Sequence, residues 1–344
     1  MLTSLTAPAF AKTWCIEDGN ITVKAGDTGN DVTQKGETTY GDKDTIITNQ
    51  NKDIASSNTV TIETKDKDDK AKVTFENVNI EADSGSALTS KGDVTLTLKG
   101  DNHLTGGNGG SSSYGGDGIT SSGSLTISGG TVNATGRDGK DGDGGNGIWS
   151  GGVTISSGTV TANGGGSGNV SGDGIRSSGG VTISGGKVKA AGGDSKDGYG
   201  GNGIIGSGRV AISGGTVNAA GGDGGNGKDG GYGIISNDID LSGSLELTAK
   251  AGSPNGKALS QRGNELDLDT INKDKLDPGA KVTAINANGD SKQVSIPRPV
   301  EPEKPVIPEE SSSSSDGGSS APSAPVSSLP GLTVTDKSGA VISY

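Results

Sequence analysis

The sequence predicts an all-β fold, a right-handed parallel β-helix with coils of about 28–29 residues. Two repeats and one absence carry that reading. Strand-like tetrads recur as Leu125-Thr126-Ile127-Ser128, Val153-Thr154-Ile155-Ser156, Val181-Thr182-Ile183-Ser184 and Val210-Ala211-Ile212-Ser213, spaced by 28, 28 and 29 residues. A second element follows each tetrad: Thr131-Val132-Asn133-Ala134, Thr159-Val160-Thr161-Ala162, Lys187-Val188-Lys189-Ala190 and Thr216-Val217-Asn218-Ala219. A helical period of 3.6 is missing throughout.

Within a coil, alternation puts Val153, Ile155 and Val160 on one face and Thr154, Thr159 and Thr161 on the other. A Gly-Ile pair supplies a third element at Gly118-Ile119, Gly147-Ile148, Gly174-Ile175, Gly203-Ile204 and Gly233-Ile234. Weaker copies flank these, with Ala87-Leu88 and Val94-Thr95-Leu96 before and Ile239-Asp240-Leu241 and Ala258-Leu259 after. Gly129-Gly130, Gly185-Gly186 and Gly214-Gly215 suit corners that need positive φ. The period is not built from nines, which argues against a calcium-binding nonapeptide roll.

Four segments follow from this phase. Residues 1–11 read as the end of a truncated export signal, because Ala9-Phe10-Ala11 is a small-residue cleavage site without a basic region before it. Residues 12–296 read as the β-helix, with irregular N-terminal coils and a C-terminal cap. Eight of the 11 prolines fall between Pro297 and Pro330, alongside a serine run at Ser311–Ser315, so 297–330 reads as a linker. Residues 331–344 read as the start of a further module. The expected location is secreted or cell-surface, and the expected state is a monomer.

Composition narrows function. A net charge of -12 over 344 residues argues against a nucleic-acid binder, which needs excess Lys and Arg. No stretch approaches the ~20 apolar residues of a membrane helix. Cys15 is the only cysteine, so there is no disulfide framework. His103 is the only histidine and falls outside the repeat columns as read from the sequence, so a Ser/His/Asp system has no support. Arg176, Lys187, Lys189 and Arg209 are the candidates for a lyase base.

Each coil carries one long loop, at 135–147, 163–174, 191–203 and 220–233, all expected on the same edge of the solenoid. Its carboxylates are Asp138, Asp141, Asp143, Asp173, Asp194, Asp197, Asp223 and Asp229. Short carboxylates among glycines and asparagines suit an oxygen-rich Ca²⁺ site. They equally suit turns and solubility. The aromatics Tyr114, Trp149, Tyr199 and Tyr232 share this edge and are four of only nine in the chain. They suit stacking on sugar rings, or packing of the loops onto the coil.

The pattern of Gly179–Ala190 with Gly200–Ile204 resembles the secreted bacterial carbohydrate-binding β-helix proteins, over roughly Leu88 to Leu259. That resemblance implies a pectate-lyase-like solenoid that binds polygalacturonate with calcium and does no catalysis. It transfers no individual ligand residue. The motifs of the catalytic pectin families are absent. The expectation is therefore an extracellular, non-catalytic binder of acidic polysaccharide, with a lyase or a structural adhesin as alternatives. An ice-binding face ranks last, because the outward column Thr131, Thr159, Lys187, Thr216 is broken by lysine.

Overall fold

A computed structural model describes residues 12–64, 69–108, 114–140 and 142–299. The expected export-signal remnant at 1–11, the expected module at 331–344, the part of the expected linker beyond residue 299 and Asp141 lie outside the described residues. The described chain is an all-β solenoid of about 8 turns, built from stacked parallel coils. No helix among the described residues is long and apolar enough to cross a membrane.

Each coil visits three parallel sheets in turn. On the first, Ile21, Val60, Leu88, Ile119, Ile148, Ile175, Ile204, Ile234 and Leu259 pair in register, one per coil. On the second, Val94, Leu125, Val153, Val181, Val210 and Ile239 stack, and Leu96, Ile127, Ile155, Ile183, Ile212 and Leu241 stack beside them. On the third, Val132, Val160, Val188, Val217, Leu247 and Val282 form one ladder. All of these side chains are buried. Identical branched residues stack well because every rung repeats the same backbone geometry at ~4.8 Å.

A column of serines closes one corner of this core. Two residues after the first-sheet aliphatic, Ser121, Ser150, Ser177 and Ser236 point inward and donate to turn carbonyls, as Ser150 Oγ does to Gly152 O at 2.7 Å. Asn102 takes the valine place one rung before Val132. It is fully buried, and its Oδ1 accepts from Val78 N at 2.9 Å while Nδ2 donates to Thr131 O at 2.9 Å. The next residue, His103, pairs with Asn133. His103 thus stands within a repeat column, contrary to the sequence expectation. Asn102 hides the apolar phase that would have revealed it.

The ends abandon parallel stacking. Ile21–Gly26, Gly29–Gln34 and Glu37–Asp42 form an antiparallel meander. Trp14 is buried there and donates its Nε1 proton to Asp42 at 3.0 Å. At the other end, Lys281–Ile285 and Ser291–Ser295 pair antiparallel. Such reversals blunt the open edges on which another chain would add.

Ile155 and Thr154 are neighbours that face opposite ways. Ile155→Ala should lower unfolding free energy by about 2–5 kcal/mol, read from urea melts. Thr154→Ala should change it by less than about 0.5 kcal/mol.

Candidate functional site

The long loops do not stand free. Each leaves the third sheet as one arm, turns at a tip, and returns to the first sheet as a second arm. One backbone hydrogen-bond chain stitches all the arms together. Gly116 N donates to Gly107 O, Arg137 N to Gly116 O, Gly145 N to Arg137 O, Gly165 N to Gly145 O, and Gly172 N to Gly165 O. Gly193, Gly201, Gly222, Gly231 and Gly252 continue it, each donating to its predecessor, with every bond at 2.8–2.9 Å. The bonds alternate between crossing one coil's two arms and stepping to the next coil. A Cβ on Gly145, Gly172, Gly201 or Gly231 would land on the carbonyl oxygen of the residue one coil before. Glycine is required there for close approach, and its Cα–H faces the carbonyl instead.

This glycine block fixes where the aspartates go. The residue before each of the first four Gly-Ile pairs forms a column of alternating acid and amide: Asp117, Asn146, Asp173, Asn202. Asp117 Oδ1 accepts from Asn146 N at 2.6 Å and Asn146 Nδ2 at 3.0 Å. Asn146 Oδ1 accepts from Asp173 N at 2.9 Å. Asp173 Oδ1 accepts from Asn202 N at 2.7 Å and Asn202 Nδ2 at 2.8 Å. Asn202 Oδ1 accepts from Tyr232 N at 2.8 Å. Alternation keeps like charges from stacking at one strand spacing. Asp173 is buried, and its second oxygen pairs with Arg176 at 2.9 Å. Burial pushes the Asp117 carboxyl above its ordinary value, and the bonds from Thr120 and Asn146 and the Arg176 charge oppose that. This ladder was missed in the sequence, although the triplets Asp117-Gly118-Ile119 through Asn202-Gly203-Ile204 display it.

Five of the other predicted acids fall in two further columns. Asp138 accepts from Gly166 N at 2.7 Å, Asp194 from Asp223 N at 2.7 Å, and Asp223 from Ser253 N at 2.8 Å. Asp143 accepts from Asn169 Nδ2 at 2.7 Å and Asp229 from Asn255 Nδ2 at 2.9 Å. Asp138, Asp194 and Asp197 line a shallow depression of about 720 Å³ with Lys140 and Lys196. Among the described residues, no three acids, imidazoles or thiols gather into a group that could hold a metal.

The four aromatics divide among three columns. Tyr232 continues the acid–amide column, with Lys257 Nζ 5.9 Å from its ring centre. Trp149 lies on the outer face of the first sheet, between Thr120 and Arg176 on adjacent coils. Tyr114 and Tyr199 belong to one column on the returning arms. The residue before the returning-arm bond in successive coils is Tyr114, Asp143, Val170 and Tyr199, shown by Gly115 N to Asp143 O, Gly144 N to Val170 O and Ser171 N to Tyr199 O. Tyr114, Val170 and Tyr199 are 53%, 40% and 46% exposed. Lys228 Nζ lies 5.4 Å from the Tyr199 ring centre.

Trp149, Arg176, Asp143, Asp173 and Val170 line one recess of about 260 Å³. It brings together the Trp149 indole, a guanidinium paired with a buried carboxylate, and the Val170 side chain. That combination is chemically suited to a polar ring. Of the four candidate lyase bases, Arg176 lines this recess and the other three do not. Arg209 pairs with Asp238 and Asp240, and Lys187 and Lys189 stand on the third sheet.

Gly172→Ala should destabilise the solenoid by at least about 2 kcal/mol, whereas Gly168→Ala, with nothing near its added methyl, should stay within about 0.5 kcal/mol in the same urea melts. Asp117 has a raised folded pKa, so its contribution is fullest at low pH and falls as pH rises through the folded value. Asp117→Asn should therefore stabilise the chain more at about pH 7 than at about pH 3, measured as the difference between the two denaturation midpoints.

No family model, curated protein or solved structure matches this chain. The resemblance read from the glycine-rich pattern holds at the level of the β-solenoid.

Proposed function

We propose that this chain is an extracellular, non-catalytic module that binds polysaccharide, acidic in character, along its loop edge. The recess formed by Trp149 and Arg176 carries the reading. An indole face beside a fixed guanidinium matches a sugar ring that offers C–H bonds on one side and hydroxyl or carboxylate oxygens at its rim. Arg176 is already paired with Asp173, and Asp143 shares its recess in a chain whose net charge is -12, so an acidic ligand is held here with a cation between. Calcium enters only as a bridge from the ligand's carboxylates to exposed acids such as Asp194 and Asp223, which stand on adjacent coils. The dispersed basic residues support binding over elimination chemistry. The small-residue cleavage pattern at Ala9-Phe10-Ala11 supports export.

Calorimetric titration with polygalacturonate, with and without calcium, tests this. Trp149→Ala should weaken binding by at least about tenfold with the fold intact by circular dichroism. Binding that persists in excess chelator withdraws the calcium bridge. A glycan array with no bound sugar withdraws the reading and leaves a structural adhesin.

A further inference from the structure

Tyr114 and Tyr199 occupy equivalent positions three coils apart. In-register stacking at ~4.8 Å per coil places their backbones about 14 Å apart along the solenoid axis. Between them lie the rungs of Asp143 and Val170, and those two rungs edge the recess. Trp149 belongs to the coil of Asp143, and Arg176 belongs to the coil of Val170. Four consecutive coils thus present, in order, an exposed phenol, an indole, a guanidinium beside an exposed valine, and a second exposed phenol.

A pyranose ring in an extended linear glycan advances its chain by a distance close to one strand spacing, ~4.8 Å. Resting on the glycan-binding reading, we infer that the ligand is a linear glycan lying parallel to the solenoid axis, one ring per coil, over four rings from Tyr114 to Tyr199. The outer two rings stack on the tyrosines and the inner two fill the recess. Tyr114 and Tyr199 belong to one column, so they present equivalent rings to the ligand. A glycan that shows the same face again at every third ring, a threefold screw, meets both without twisting. A twofold ribbon shows alternate faces at rings one and four and meets only one of them well. A chain crossing the coils transversely reaches only one coil's aromatics.

The glycine block makes this ruler rigid. The backbone at each of the four rungs is stitched to its neighbours through the arm bonds, and Val170 and Tyr199 also pair directly. A fixed platform loses little entropy on binding an extended chain. The tyrosine spacing therefore selects among ligands, because it does not adapt to them.

The test is calorimetric titration of the whole chain with two length series, oligogalacturonides and xylo-oligosaccharides of two to six rings. Affinity should rise by about tenfold from three rings to four in at least one series and change little beyond five. Tyr114→Ala and Tyr199→Ala should each erase that step while leaving the trisaccharide's affinity within about twofold. Trp149→Ala should weaken the trisaccharide itself. Both tyrosines are exposed, so folding is not at stake. If Trp149→Ala abolishes binding while both tyrosine variants follow the unaltered protein at every length, the axial ruler is overturned and the glycan reading stands. If no oligosaccharide of either series binds, and no polysaccharide does, both fall together.

Discussion

The structure depends on the approach of bare backbone to bare backbone in the glycine arms. The three sheets fix the coil spacing on three sides, and a long loop on the fourth side has to meet the same spacing. A loop with side chains at Gly145, Gly172, Gly201 and Gly231 would have to splay away from the stack. With glycine there, one hydrogen-bond chain runs from coil to coil at the sheet repeat. The loop edge then becomes a fourth packed face. The loops differ in length, but the variation is confined to the tips, at 138–142, 166–169, 194–198 and 223–228. The arms beside the sheets keep one geometry throughout.

That fourth face explains how an otherwise polar edge holds a shaped site. Arg176 is long and charged, and an exposed arginine of this kind usually samples many rotamers. Here the buried Asp173 carboxylate restrains it, and Asn202 holds Asp173 in turn. Trp149 stands one strand away on a sheet whose core side is a continuous aliphatic ladder. The recess thus rests on two ladders, one apolar and buried behind the sheet, the other polar with Asn146, Asp173 and Asn202 in its wall.

The apolar ladders were legible because branched residues recur in phase every 28 or 29 residues, and phase is what a solenoid writes into its sequence. The column holding His103 was not legible, because a buried asparagine replaces the marker valine and satisfies itself by hydrogen bonding. The antiparallel ends were missed because alternation reads the same in either strand direction. Glycine showed only that side chains were absent, and what fills the space is a contact between arms far apart in sequence. The acids were read as one population of loop carboxylates. The structure sorts them into columns with different tasks: Asp173 is buried in a ladder, Asp194 holds a neighbouring amide, and Asp143 edges the recess. Residue type alone does not encode that division.

The alternation of acid and amide along Asp117, Asn146, Asp173 and Asn202 gives the coil array a parity. Removing one coil from the middle would stack aspartate on aspartate, or asparagine on asparagine. Two carboxylates one strand apart would then compete for the same amide donors away from water. Loss or duplication of two coils keeps the order intact. The polar ladder therefore repeats over a pair of coils, twice the repeat of the apolar ladders beside it.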